Sequence, residues 1–171
     1  MQNFFTNKNA LIIGQLGKRC VKLLSALFSF GARPYCFALP HYENKDLKGV
    51  ISLLGDIRNK NSLEIALQAS APEFIFHFFT NYPNKNAAEI FETNIMGIVN
   101  LLELSQNLEH LRKIIILSDN SDINEETGDV YEASKNAAVI VAKTYEAVLK
   151  EHGITLLFKN FEEIDKTLSS L

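Results

Sequence analysis

"ALIIGQLGKRC", residues 10–20, decides the fold. Four apolar residues run into a turn carrying Gly14 and Gly17, and residues 18–30 then follow a helical period until Gly31 closes it. A short buried strand feeding directly into a helix is the unit of a parallel sheet, because parallel neighbours need a crossover between them. The rest of the chain repeats that unit. "RPYCFAL" (residues 33–39), "GVISLL" (49–54), "EFIFHFF" after Pro72, "KIIILS" and "ITLLFK" read as further strands. Between them lie helical stretches: one capped by Asn61 or Ser62 and running to about Ser70, one over 86–107, and one over 130–152 that Gly153 stops. The uninterrupted apolar character of "EFIFHFF" predicts a central strand buried on both faces. A lone histidine there, His77, reads as a satisfied core residue without chemistry. The prediction is an α/β fold, a Rossmann-like doubly wound parallel sheet of about six strands with helices on both faces. One domain over 1–171 is expected, with no separate second lobe.

Composition narrows the functional classes. The 171 residues suit one domain with a real core, and 47% hydrophobic and 22% charged residues with a net charge of -3 argue against a polyanion-binding surface. No nucleic-acid partner is expected. Cys20 and Cys36, the only cysteines, lie in apolar stretches without ligand spacing, which suits reduced buried thiols in a cytoplasmic protein. Histidines 41, 77, 110 and 152 show no metal-binding pattern, so no metal is expected. The apolar runs are far shorter than the roughly 20 residues of a spanning helix, so a soluble protein without a membrane partner is expected.

Three features bear on chemistry. Gly14 and Gly17, with Gln15 and Leu16 between them, keep two glycines of a G-x-x-G-x-x-G turn, while Cys20 takes the third place. In a strand-turn-helix such glycines let the backbone approach a pyrophosphate that sits at the positive end of the helix, and the third permits close helix-to-strand packing. The same two glycines also serve turns that bind nothing. The acid that would hold the adenosine ribose at the end of the second strand is absent, Leu39, Pro40 and His41 standing there; Glu43 could reach back from the loop. Asp56, just past the third strand, could accept from an adenine amino group, although a Gly-Asp pair is more often simply a turn. In "VYEASKNAAVIVAKTY", Tyr131 and Lys135 share a helix face, and an ammonium beside a phenol favours the phenolate that a general base needs.

Glycine turn, Asp56, then Ser118 and Asp119 after the fifth strand, then Tyr131 and Lys135: in this order the sequence resembles the extended short-chain dehydrogenase/reductase family, the NAD-dependent epimerases and dehydratases. Within it, the sequence is most similar to the CDP-glucose 4,6-dehydratases. The resemblance spans about residues 8–161 and rests on "PEFIFHFF", "FETNIMGIVNLLE", "LSDN" and "YEASKNAA". It implies NAD as cofactor, with pyrophosphate over Gly14, Gln15, Leu16 and Gly17, adenine near Asp56 and Ile57, and the inner ribose near Phe78, Phe79 and Thr80. Asn94 stands at the family's characteristic asparagine. Tyr131 and Lys135 would hold the nicotinamide ribose. Tyr131 would also take the sugar 4-hydroxyl proton as hydride leaves, tuned by Lys135 and aided by Ser118, while Asp119 protonates the departing 6-hydroxyl. The resemblance further implies a nucleotide sugar as substrate. It also implies a homodimer through the helices after strands four and five, where Gly97, Ala133, Ala137 and Ala138 would allow close approach.

Three departures shape the expectation. Asn120 replaces the lysine or glutamate of related dehydratases, and an amide exchanges no proton at neutral pH. Only 11 residues separate Asp119 from Tyr131, about half the family spacing. Beyond strand six come only "NFEEIDKTLSSL", read as a polar tail, where family members continue about as far again. A truncated homologue is expected, binding NAD(H) weakly and inactive alone. The alternatives are an active dehydratase that takes its substrate lobe from a partner chain, and a non-catalytic Rossmann scaffold for interactions.

Overall fold

The computed structural model describes residues 4–14, 17–40, 49–79, 85–118 and 129–170. Six parallel strands, β1 (Asn9–Ile13), β2 (Arg33–Ala38), β3 (Ile51–Leu54), β4 (Phe74–Phe78), β5 (Lys113–Ser118) and β6 (Thr155–Asn160), form one sheet in the order β3-β2-β1-β4-β5-β6. The chain winds outward one way from β1 and the other way from β4, so the crevice where ligands of open α/β sheets bind lies between their carboxyl ends. The register places Leu53, Phe37, Ile13, His77, Ile116 and Phe158 in one row across all six strands.

Alternation along each strand sorts the core into two layers. One packs under α2 (Lys60–Ser70), α4 (Gly97–Ser105), α5 (Val130–Lys143) and α6 (Glu146–Glu151), the other under α1 (Lys18–Ser29) and α7 (Ile164–Ser170). All five residues of β4 are buried, as a strand covered on both faces requires. Phe5 near the amino terminus is fully buried, its ring 4.9 Å from that of Phe74. No described helix is long and apolar enough to cross a membrane.

Several boundaries differ from expectation. Asn59, not Asn61 or Ser62, caps α2, its Oδ1 accepting from the Ser62 backbone N–H at 3.0 Å. The helix expected over 86–107 is α3 (Ala87–Phe91), one π turn (Glu92–Met96) and α4, and Asn86 with Glu89 forms a capping box at its start. The helix expected over 130–152 parts into α5 and α6, where Thr144 and Tyr145 donate to carbonyls three residues back. Gly97 and Ala138, expected at an intersubunit contact, are buried within the chain. A Cβ on Gly97 would lie 2.7 Å from Ile57 Cγ2, so the glycine admits the segment after β3. The supposed polar tail is a 3-10 turn (Phe161–Glu163) and α7, with Phe161, Ile164, Thr167 and Leu168 buried, because their spacing gives the short helix an apolar face for the second layer.

His77 is buried as expected but not satisfied, since neither ring nitrogen has a hydrogen-bond partner among the described residues. Burial pushes its pKa from 6.5 down to about 4, because an imidazolium would lose its hydration. Between those values the unfolded chain binds a proton that the folded chain refuses, so stability falls as pH drops from 6.5 toward 4, by up to about 3 kcal/mol. Urea unfolding of the wild type and His77→Leu at pH 7 and pH 4.5 should show the variant losing distinctly less stability on acidification. Equal losses would mean that His77 finds a proton acceptor in the fold.

Candidate functional site

The crevice begins at the turn after β1. Gly14 has φ +133°, and a Cβ there would stand 2.8 Å from the Phe78 carbonyl oxygen, so only glycine lets β1 end this close to β4. Gly17 differs. It caps α1 at φ −92°, and a Cβ would meet nothing within 4 Å, so its lack of a side chain leaves open space rather than relieving a clash. The first turn of α1 holds no acid and no side-chain cap, while Lys18 and Arg19 are exposed there. The positive helix end and these two cations together favour an anion. Cys20 is buried against Cys36, and their hydrogen bond together with burial holds its thiol well above the usual range, so it acts as a small packing residue where the third glycine was expected. Gln15 and Leu16 lie outside the described residues.

Asp56 is at the carboxyl edge, as expected, but its carboxylate is engaged. It accepts from the Arg58 backbone N–H at 2.9 Å and from Arg58 Nη2 at 2.6 Å, with Nε at 3.0 and 3.1 Å. Burial raises its pKa, but the Arg58 hydrogen bonds outweigh that and hold it below the usual carboxylate value. Ile57 is buried against Gly97, and Asn100 Nδ2 donates to the Ile57 and Arg58 carbonyls at 3.1 Å, tying this segment to α4. The Phe78 ring packs on Phe161 and the Phe79 ring on His77, so at β4 any contact to a ribose comes from backbone. Ile13, Gly14, Ala38, Gly55 and His77 line a cavity of about 10 Å³ there, room for one water and not for a hexose. Thr80 lies outside the described residues.

The end of the crevice expected to be catalytic is assembled by the π turn. Fully buried Asn94 donates from Nδ2 to Ser134 Oγ at 2.8 Å, and Ser134 Oγ donates to the Tyr131 carbonyl at 2.7 Å, so the turn fixes where α5 starts. Such bulges often mark functional positions. Asp129 Oδ1 caps α5 through the Glu132 N–H at 3.0 Å. Lys135 Nζ lies 5.4 Å from the Tyr131 ring centroid, the neighbourhood their spacing predicts, but its ionic partner is Glu132, at 2.7 and 2.8 Å. The sequence reading missed Ser134 and Glu132; the i, i+3 spacing of Glu132 and Lys135 was the available signal for the latter. Ser118 ends β5, half-buried and in register with Asn160. Asp119 and Asn120 lie outside the described residues. Gly14, Asp56, Phe78 and Ser118 thus stand at or just past the carboxyl ends of β1, β3, β4 and β5, and Tyr131 and Lys135 on α5 are anchored through Asn94.

Residues 37–161, well over half of the chain, match the family described as polysaccharide biosynthesis protein. The chain is 25% identical over 185 residues to a CDP-glucose 4,6-dehydratase of Salmonella typhimurium, covering 91% of this chain and 52% of that protein. Among solved structures it is similar to the Bordetella bronchiseptica enzyme WbmF in complex with NAD+ and UDP, with TM-score 0.72, 19% identity, and coverage of 91% of this chain and 49% of that one. It is also similar to a short chain dehydrogenase from Burkholderia cenocepacia in complex with NADP, with TM-score 0.71, 17% identity, and coverage of 98% and 84%. The chain spans about half the length of the dehydratase and of WbmF. Sequence match and fold together place it in the polysaccharide biosynthesis protein family, as a homologue of a CDP-glucose 4,6-dehydratase with the Rossmann fold of the NAD-dependent epimerases and dehydratases.

Proposed function

We propose that this chain is the dinucleotide-binding half of a sugar-nucleotide dehydratase-type protein. It binds NAD(H) at the carboxyl edge of the sheet and by itself does not turn over a sugar nucleotide. The open start of α1 carries this reading, since Gly17 leaves space above the helix and Lys18 and Arg19 are exposed in its first turn. Affinity is micromolar or weaker, each missing polar contact, the ribose acid above all, costing roughly 1–3 kcal/mol. Gly17→Val should fold, at no more than about 1 kcal/mol in capping, and should abolish NADH binding in a calorimetric titration by blocking backbone approach. An unchanged titration would show that the turn is not the phosphate site.

When bound, the nicotinamide supplies hydride transfer. The chain's own share is to hold the ribose through Lys135 and to take a sugar hydroxyl proton at the Tyr131 oxygen. That transfer needs the hydroxyl held about 3 Å away, and this chain spans only about half the length of the dehydratase it matches. Purified chain incubated with CDP-glucose or dTDP-glucose and NAD should therefore give no 4-keto sugar. A second reading, in which a partner chain supplies the sugar lobe, is favoured by the outer edge of β6: it ends the sheet, and Leu156 to Asn160 are only half-buried. Under that reading activity appears only in the mixture and falls at least tenfold with Tyr131→Phe. Product from the chain alone would overturn the first reading.

We also propose a cytoplasmic homodimer through α3, α4 and α5. Phe91, Met96 and Ile140 are exposed on these elements and the π turn between them, with Ala133 and Ala137 half-buried nearby. Apolar faces of this kind pair readily across a two-fold axis. Sedimentation at about 100 μM should give a dimer that Ile140→Glu dissociates, and a wild-type monomer would exclude this assembly.

A further inference from the structure

Lys135 is the only charged side chain that is buried among the described residues. An ammonium deprived of water must be paired, and Glu132 supplies both carboxylate oxygens, at 2.7 and 2.8 Å. The two partners are unequal. The Lys135 side chain is 5% exposed and that of Glu132 36%, so the carboxylate can turn out to water while the ammonium cannot. The backbone of Glu132 is held by the Asp129 cap, so only its side chain is free to change. Both Glu132 carboxylate oxygens lie within 2.8 Å of the ammonium nitrogen, and the Tyr131 ring lies on its flank.

We infer that Glu132 is a positioning residue that sets how firmly the nicotinamide end of the cofactor is held, because its carboxylate occupies the lysine donors that a ribose hydroxyl must take. This rests on the dinucleotide reading above. In Glu132→Gln the side chain keeps its shape and loses its charge, so the ribose no longer competes with a carboxylate. NADH affinity should rise about fivefold, the scale of one partly exposed ion pair, while affinity for ADP, which lacks the nicotinamide ribose, stays unchanged. A merely structural role would shift both ligands together or neither.

The decisive measurement is calorimetric titration of wild type and Glu132→Gln with NADH and with ADP. A selective gain for NADH supports the inference; an equal change for both ligands, or none, overturns it while leaving the dinucleotide site in place. If wild type and variant bind neither ligand, the dinucleotide reading fails and the inference with it. Should Glu132→Gln not fold, Glu132→Asp withdraws the charge by one methylene and should show a smaller selective gain, and unchanged NADH affinity there overturns the inference.

Discussion

Burial of β4 on both faces is the constraint on which the molecule depends. Phe74, Ile75, Phe76, His77 and Phe78 are all buried, so neither face of the sheet centre can be left to water. Each large apolar side chain contributes about 1.5–3 kcal/mol only if a helix covers it. One layer comes from α2, α4, α5 and α6. The other cannot be made by α1 alone, which explains why α7 folds back over Phe76, Phe78 and Leu117 with Phe161, Ile164 and Leu168. A segment rich in charged and hydroxyl residues thereby becomes part of the core.

The same centre places the site. With β1 and β4 adjacent and parallel, their carboxyl ends meet, and Gly14 is the residue that lets them meet closely. Among the described residues, Gly14, Asp56 and Phe78, expected to touch a cofactor, then stand at one edge of the sheet. Asparagine chemistry completes the arrangement: Asn94 ties the π turn to α5, and Asn100 ties α4 to the segment after β3. In both cases a helix-borne amide satisfies groups that hydrophobic packing alone would leave unpaired.

Charge is distributed with a bias toward the protein's own needs. Asp56 and Lys135, the two charged side chains read as ligand contacts within the described residues, are each already engaged, by Arg58 and by Glu132. On the dinucleotide reading proposed above, the ribose acid missing from the end of β2 and the paired lysine would act in the same direction, toward a loose hold on the cofactor.

By itself the sequence determined the strand and helix order, the parallel sheet, the glycine turn and the Tyr131 and Lys135 pair. These follow from local periodicity and from spacings of at most a few residues, and local backbone geometry obeys them wherever the chain goes. Tertiary structure alone decided the rest. That His77 would find no hydrogen-bond partner among the described residues, that Gly97 and Ala138 would face inward, that Cys20 would stand against Cys36 and that α7 would be core all depend on which surfaces meet across the sheet. The Glu132 pairing with Lys135 was local enough to be legible. Its consequence was not, because an exposed ion pair contributes little and only the burial of the lysine makes this one matter.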